Sequence, residues 1–222
     1  MGKTITLRAS DGHELSAWRA DPAGAARGGL VVIQEIFGVN SHIREVADGF
    51  AADGYVAIAP ALFDRVERGV ELGYEEDGRT RGRGIRADIA WDDALQDVAA
   101  AVAALSGKPV GVVGYCWGGS LAWLAATRIA GIAASVGYYG GQIKDFKDET
   151  PRCPVMLHFG TEDASIPLDA VAAVQAAQPD IPVHIYEGAG HGFNCAQRGS
   201  YHAQAATTAR ARTLAFLKEN VG

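Results

Sequence analysis

At positions 114–120 the chain reads GYCWGGS, with Gly114 and Gly118 each two residues from Cys116. The run VGVVGY leads into this stretch and LAWLAA leads out of it. Strand, tight turn and helix in that order make a nucleophile elbow. The glycines let strand and helix pass closely, a strained backbone lifts the side chain above the sheet, and the helix N-terminus favours a thiolate. The chemistry would be attack of sulfur on a carbonyl carbon. The competing reading is a structural thiol beside packing glycines, because cysteine is among the most buried residue types.

Such a nucleophile needs a base, and the base needs an orienting group. GTEDASIP follows the apolar run PVMLHFG, and GAGHGF follows VHIYEG. Asp163 and His191 therefore fall in loops leaving the carboxyl ends of strands, the edge that Cys116 would occupy. Glu162 is the rival acid, but Asp163 lies one residue further into the turn and precedes the small Ala164. Glu35 ends the run GLVVIQE at the same edge. The backbone N–H groups of Ile36 and Trp117 would then face the carbonyl as an oxyanion hole. A carboxylate beside them opposes both a thiolate and an oxyanion, so Glu35 either has a purpose there or points to solvent or an arginine. His158 and His184 fall within strands, His13 and His42 near element starts, and His202 at a helix start. No pair has metal-ligand spacing, so no metal site is expected.

The elements that must hold these residues alternate along the chain. Apolar runs at 14–20, 29–35, 55–60, 110–115, 133–140, 154–160 and 183–188 read as strands, several of them Val/Ile-rich on both faces, as a covered parallel sheet requires. Ile5, Leu7 and Ala9 alternate with polar residues as the lead-in to a further strand. Helices are expected from an N-cap at Ser41 to Ala51, over 85–105, where apolar residues hold three- and four-residue steps, and over 118–129, 167–178 and 202–219. The expectation is an α/β fold with a mostly parallel sheet, helices on both faces, and one domain over 1–222. Residues 61–84 break the rhythm with charge and glycine and no clean period. They read as a long loop at the carboxyl edge, bordering the site or merely solvated.

Composition narrows the class. The 222 residues carry 20 Lys and Arg against 26 Asp and Glu, a net charge of −6, which argues against nucleic-acid or anionic-membrane partners. No apolar run is long enough to span a bilayer, and MGKTITLRASDG lacks a secretory h-region. MGKTIT also fits a loose myristoylation pattern, read here as strand lead-in. Three cysteines, Cys116, Cys153 and Cys195, cannot all pair within the chain, and reduced thiols in the cytoplasm fit best, Cys153 and Cys195 as structural residues.

From QEIFGVN through YVAIAPALFDR, GYCWGGS, GYYG and GTEDASIP to GAGHGF, the chain resembles the dienelactone hydrolases (carboxymethylenebutenolidases), cysteine members of the α/β-hydrolase fold. The resemblance implies that fold without a large cap domain, no cofactor, and Cys116, Asp163 and His191 as a triad. It implies that the Glu35 carboxylate contacts the resting thiol and keeps it turned from the histidine until an anionic substrate releases it. It also implies two arginines for the substrate carboxylate. Arg65, in PALFDR, matches the first. The second should lie four residues after the histidine, where this chain has Cys195, and Arg198 serves only if the loop bends differently. Phe37, Trp117, Tyr138, Tyr139 and Phe193 are candidates for pocket walls or plain core.

A thiol suits particular substrates. A tetrahedral intermediate on sulfur expels thiolate in preference to a poor leaving group, so cysteine favours esters whose leaving group is already stable, such as the enolate of an enol lactone. The leading expectation is a cofactor-free hydrolase of a small lactone or activated ester, anionic where an arginine cradle survives, acting as a monomer or small homo-oligomer. Alternatives are a broader carboxylesterase or thioesterase on the same triad and a non-catalytic redox thiol. A dinucleotide-binding protein is the weakest, because no G-x-G-x-x-G follows the first parallel strand.

Overall fold

In the computed structural model, which describes residues 2–222, the alternating residues of the N-terminus pair as β1 (Lys3–Arg8) antiparallel to β2 (Glu14–Ala20). The apolar runs follow as β3 (Gly29–Ile33), β4 (Val56–Pro60), β5 (Val110–Tyr115), β6 (Ile132–Tyr138), β7 (Val155–Gly160) and β8 (Val183–Tyr186). Every residue of β3, β4, β5 and β7 is buried, which is why these runs are apolar on both faces rather than alternating. The strands form one sheet in the order β1-β2-β4-β3-β5-β6-β7-β8, parallel from β4 to β8.

The helices are α1 (Ser41–Ala52), α2 (Glu76–Ala87), α3 (Trp91–Ala103), α4 (Trp117–Arg128), α5 (Leu168–Ala177) and α6 (Ala203–Asn220). The step from β3 to β4 runs one way along the sheet and the step from β5 to β6 runs the other. Right-handed crossovers therefore put α1 and α4 on opposite faces. On the α1 face, Arg210 of α6 pairs with Asp53 and lies over the Phe50 ring at 4.6 Å. On the other, α3 packs against α4. The reversal of direction falls between β3 and β5, and their carboxyl ends open the crevice in which such sheets hold ligands.

Three local expectations change. Asn40, not Ser41, caps α1: its Oδ1 accepts the Ile43 N–H at 3.3 Å, and Ser41 is the first helical residue. The helix expected over 85–105 is two, α2 and α3, separated at 88–90. Ile85 before the break and Ile89 within it are both buried, which carries the apolar steps across it. Residues 61–84 are not a loose loop but a 3-10 turn at Leu62–Arg65 followed, after a short connection, by α2. Gln34 Oε1 accepts the Leu62 N–H at 3.1 Å, and the Asp64 carboxylate accepts from Ser16 N at 2.8 Å and Gly69 N at 3.2 Å. These bonds tie the segment to the sheet. Among the described residues, the carboxyl edge carries these short pieces rather than a cap domain, and no helix is long and apolar enough to cross a membrane. Met1, where the lipidation pattern begins, lies outside the described residues.

The same segment corrects Arg65. Its guanidinium donates to both oxygens of Asp97 at 2.8 Å and to Asp11 at 2.7 Å, turned towards α3 and the β1–β2 hairpin. Asp97 is fully buried, and Arg65 is not among the residues lining the pocket around Cys116. Removing one partner of a buried pair strands the other. Arg65→Ala should cost about 3 kcal/mol of stability in urea unfolding while leaving KM for an anionic substrate unchanged. A raised KM at unchanged stability would return Arg65 to the pocket.

Candidate active site

β5 ends at Tyr115, and Cys116 then takes φ 55°, ψ −117° before α4 begins at Trp117. This left-handed backbone is unusual for a residue with a Cβ and is strained. It persists because the surroundings leave no alternative. A Cβ on Gly114 would lie 1.8 Å from the Gly118 carbonyl oxygen, and one on Gly118 would lie 2.4 Å from that of Ile33. Strand, helix and the end of β3 thus touch backbone to backbone, and the Cys116 N–H is fixed on the Tyr138 carbonyl at 3.0 Å. Cys116 is half-buried, with its sulfur at the floor of a pocket.

His191 and Asp163 reach that sulfur from the loops after β8 and β7. His191 Nε2 lies 3.1 Å from Cys116 Sγ, and its Nδ1 lies 2.8 Å from Asp163 Oδ2. Asp163 is buried, and its other oxygen accepts the Ser165 N–H at 2.9 Å. The His191 carbonyl accepts from Ser200 Oγ at 2.7 Å, and the Tyr139 ring meets the imidazole edge-on at 5.2 Å. Burial opposes a charge on His191, but the Cys116 sulfur as thiolate and the Asp163 carboxylate outweigh it and push its pKa up to about 10.

Glu35 departs from its expected place. Its carboxylate does not hold the thiol. It is fully buried outside the pocket lining, and its Oε1 accepts from Arg198 Nη1 at 2.8 Å. Among the described residues the thiol's side-chain partner is His191. Arg198 does reach the pocket, three residues beyond the expected position. Successive turns, Cys195 N–H to Gly192 and Arg198 N–H to Cys195, fold the loop back so that the guanidinium lies against Gly192, where a Cβ would meet Nη1 at 2.3 Å. It also lies over the Phe37 and Tyr74 rings at 5.5 and 5.6 Å.

The pocket, about 270 Å³ in volume, is lined by Ile36, Phe37 and Trp117, together with His191 and Arg198. Tyr138 and Phe193 are core instead. Phe193 is fully buried, and the buried Tyr138 hydroxyl pairs with Thr213 Oγ1 at 2.6 Å. Three lining residues were not anticipated: Arg79, Arg83 and Arg86, at i, i+4 and i+7 along α2. Gly78, Gly82 and Ile85 form the adjoining, buried face of that helix, about 100° round from the arginines. A Cβ on Gly82 would lie 1.9 Å from the Ile36 carbonyl oxygen, so α2 rests directly on the loop beside the sulfur. Arg86 stacks over Trp91 at 4.5 Å and Trp117 at 5.9 Å, and burial lowers its pKa against the pull of Cys116. The lining holds four arginines and no carboxylate.

The model of the dienelactone hydrolase family matches residues 15–221. The chain belongs to that family. It is accordingly a hydrolase of ester or lactone bonds. A carboxymethylenebutenolidase of Pseudomonas putida is 34% identical over 225 residues, covering 96% of this chain and 94% of the relative. A Synechocystis protein provisionally given the same name is 36% identical, covering 93% and 92%. A crystal structure from Klebsiella pneumoniae, provisionally described as a dienelactone hydrolase, superposes with TM-score 0.82 at 28% identity over 97% of this chain and 98% of that one. The fold is therefore that of the α/β hydrolases of this family.

Proposed function

We propose that this chain, as one domain acting in the cytoplasm, opens an anionic enol lactone or cleaves an activated anionic ester through an acyl-thiol intermediate on Cys116. The observation that carries the reading is the line of contacts Asp163–His191–Cys116 at 2.8 and 3.1 Å on the floor of a pocket whose charged lining is arginine.

The steps follow from the geometry. The Cys116 thiolate attacks the carbonyl carbon, and the carbonyl oxygen takes the charge between the N–H groups of Ile36 and Trp117. The Trp117 N–H opens α4 and so has no intrahelical acceptor. The intermediate collapses by breaking the carbon–oxygen bond, and the leaving enolate takes the His191 proton. Acylation also removes the negative sulfur that held the imidazole's pKa up, so His191 becomes a better base in the acyl-enzyme than in the free enzyme. It then takes a proton from water, the hydroxide attacks the thioester, and expulsion of thiolate restores the imidazolium pair.

The anionic preference comes from α2. Arg198 is committed to Glu35 and Arg79 to Glu76, whereas Arg83 and Arg86 form no ion pair among the described residues. The test uses a carboxylated dienelactone, its methyl ester and a neutral p-nitrophenyl ester, with intact-mass detection of the acyl adduct after rapid quench. An acyl mass on the wild type that is absent in Cys116→Ala supports the thioester; no adduct in either, with unchanged turnover, sinks it. Arg83→Gln with Arg86→Gln should raise KM for the carboxylated lactone roughly 10–100-fold and leave the neutral ester nearly unaffected. An equal effect on both substrates would assign the arginines to packing.

A further inference from the structure

Behind the pocket, away from its lining, three segments converge on a buried spot. Glu35 comes from the end of β3, His42 from the first turn of α1, and Cys195 from the loop before α6. A carboxylate oxygen, an imidazole nitrogen and the thiol sulfur of these residues all lie within 4.8 Å of one another. Glu35 is 0% exposed and His42 5%, yet Glu35 Oε2 and His42 Nε2 have no hydrogen-bond partner. A buried polar atom left unpaired costs about 1–3 kcal/mol, so an unpaired atom on each of two residues of this cluster calls for a partner. The proposed hydrolysis uses neither atom; the Arg198 contact is to the other oxygen of Glu35.

We propose that Glu35, His42 and Cys195 bind one divalent metal ion of the zinc class. The donor set decides the class. One sulfur, one imidazole nitrogen and one carboxylate oxygen match zinc, whereas magnesium and calcium take oxygen ligands. Around a tetrahedral ion with bonds of about 2.0–2.3 Å, ligand atoms stand about 3.5 Å apart, so the three side chains need to close by about 1 Å. The carboxylate and the neutral imidazole ligate as they are. Cys195 gives up its proton to solvent as the sulfur–metal bond forms. The fourth position goes to water. His42 also forms part of the wall of a separate cavity of about 290 Å³ between α1 and α6. The bound ion would tie β3, α1 and the loop carrying Arg198 into one rigid unit.

The test is a cobalt titration of metal-free full-length protein. It is run in the Cys116→Ala background so that the Cys116–His191 pair supplies no competing thiolate. One equivalent of Co²⁺ should give a thiolate-to-cobalt charge-transfer band with intense visible bands, and one equivalent of Zn²⁺ should abolish them. Adding Cys195→Ser should remove the charge-transfer band, and adding His42→Gln should weaken Co²⁺ binding at least ~100-fold. If the Cys195 variant does not fold, the zinc displacement and the His42 variant still decide. Absence of the band, its persistence in Cys195→Ser, or an unchanged affinity in His42→Gln would overturn the site and leave a cluster that holds only an ordered water.

Discussion

On the proposed mechanism, replacing Cys116 with alanine should lower kcat/KM for a carboxylated enol lactone by roughly 10⁵-fold, the scale on which removing a nucleophile usually acts. The size follows from what remains. On that mechanism the arginines would still bind the substrate and the Ile36 and Trp117 amides would still face its carbonyl, but no covalent step would be available, so binding should survive while turnover is lost. Product inhibition constants measured beside kcat check that split. A second readout follows from the histidine. His191 is held at about 10, against an ordinary 6.5, despite burial, because the negative sulfur and Asp163 favour its charge. With alanine at 116 the imidazole, followed by proton NMR, should titrate well below that value. The linkage has a definite sign. A raised folded-state pKa contributes stability that is present in full below about pH 6.5 and is lost as pH climbs through about 10. In the variant that loss should begin at lower pH. An unchanged His191 titration would mean that the sulfur is not the group sustaining the imidazolium.

Gly114→Ala should remove at least ~4 kcal/mol of stability or prevent folding, a loss outside the ordinary range for a one-methyl change. The new Cβ would lie 1.8 Å from the Gly118 carbonyl oxygen and 3.0 Å from Gly119 N, which are backbone atoms locked by β5 and α4. No rotamer can relieve that overlap; only parting strand from helix can, and the elbow is the joint between them. Gly84→Ala is the matched control. Position 84 is exposed within α2 and a Cβ there meets nothing within 4 Å, so alanine should stabilise by about 0.5–1 kcal/mol through helix propensity alone. Urea midpoints of the two variants check both signs.

The sequence was legible where local geometry dictated residue type. GYCWGGS announces its elbow because only glycine fits at 114 and 118, and fully buried parallel strands have to be apolar on both faces. The loops of Asp163 and His191 were placed by the strands before them. The sequence was opaque where the third dimension pairs residues remote along the chain. Nothing in PALFDR says that Arg65 meets Asp97 from α3, 32 residues on, or in CAQRGS that Arg198 meets Glu35. α2 was missed for a different reason. Helices are read from apolar periodicity, and this one turns Gly78 and Gly82 inward, so its buried face carries almost no hydrophobic signal. The pattern was present in inverse form, with glycines at 78 and 82 against arginines at 79, 83 and 86.

That glycine-faced contact bears on how new activities could arise in this protein. α2 meets the Ile36 loop at Gly82 through backbone atoms, while its arginines line the pocket from the adjoining face of the helix. Provided the glycines stay, the outer positions of this 12-residue helix can be rewritten without disturbing the strand ends that carry the sulfur, the imidazole and the carboxylate. On the proposed reading substrate preference would sit on a replaceable cassette, and a library confined to positions 79, 83 and 86 should then move the chain between charged and neutral esters while inheriting its chemistry intact.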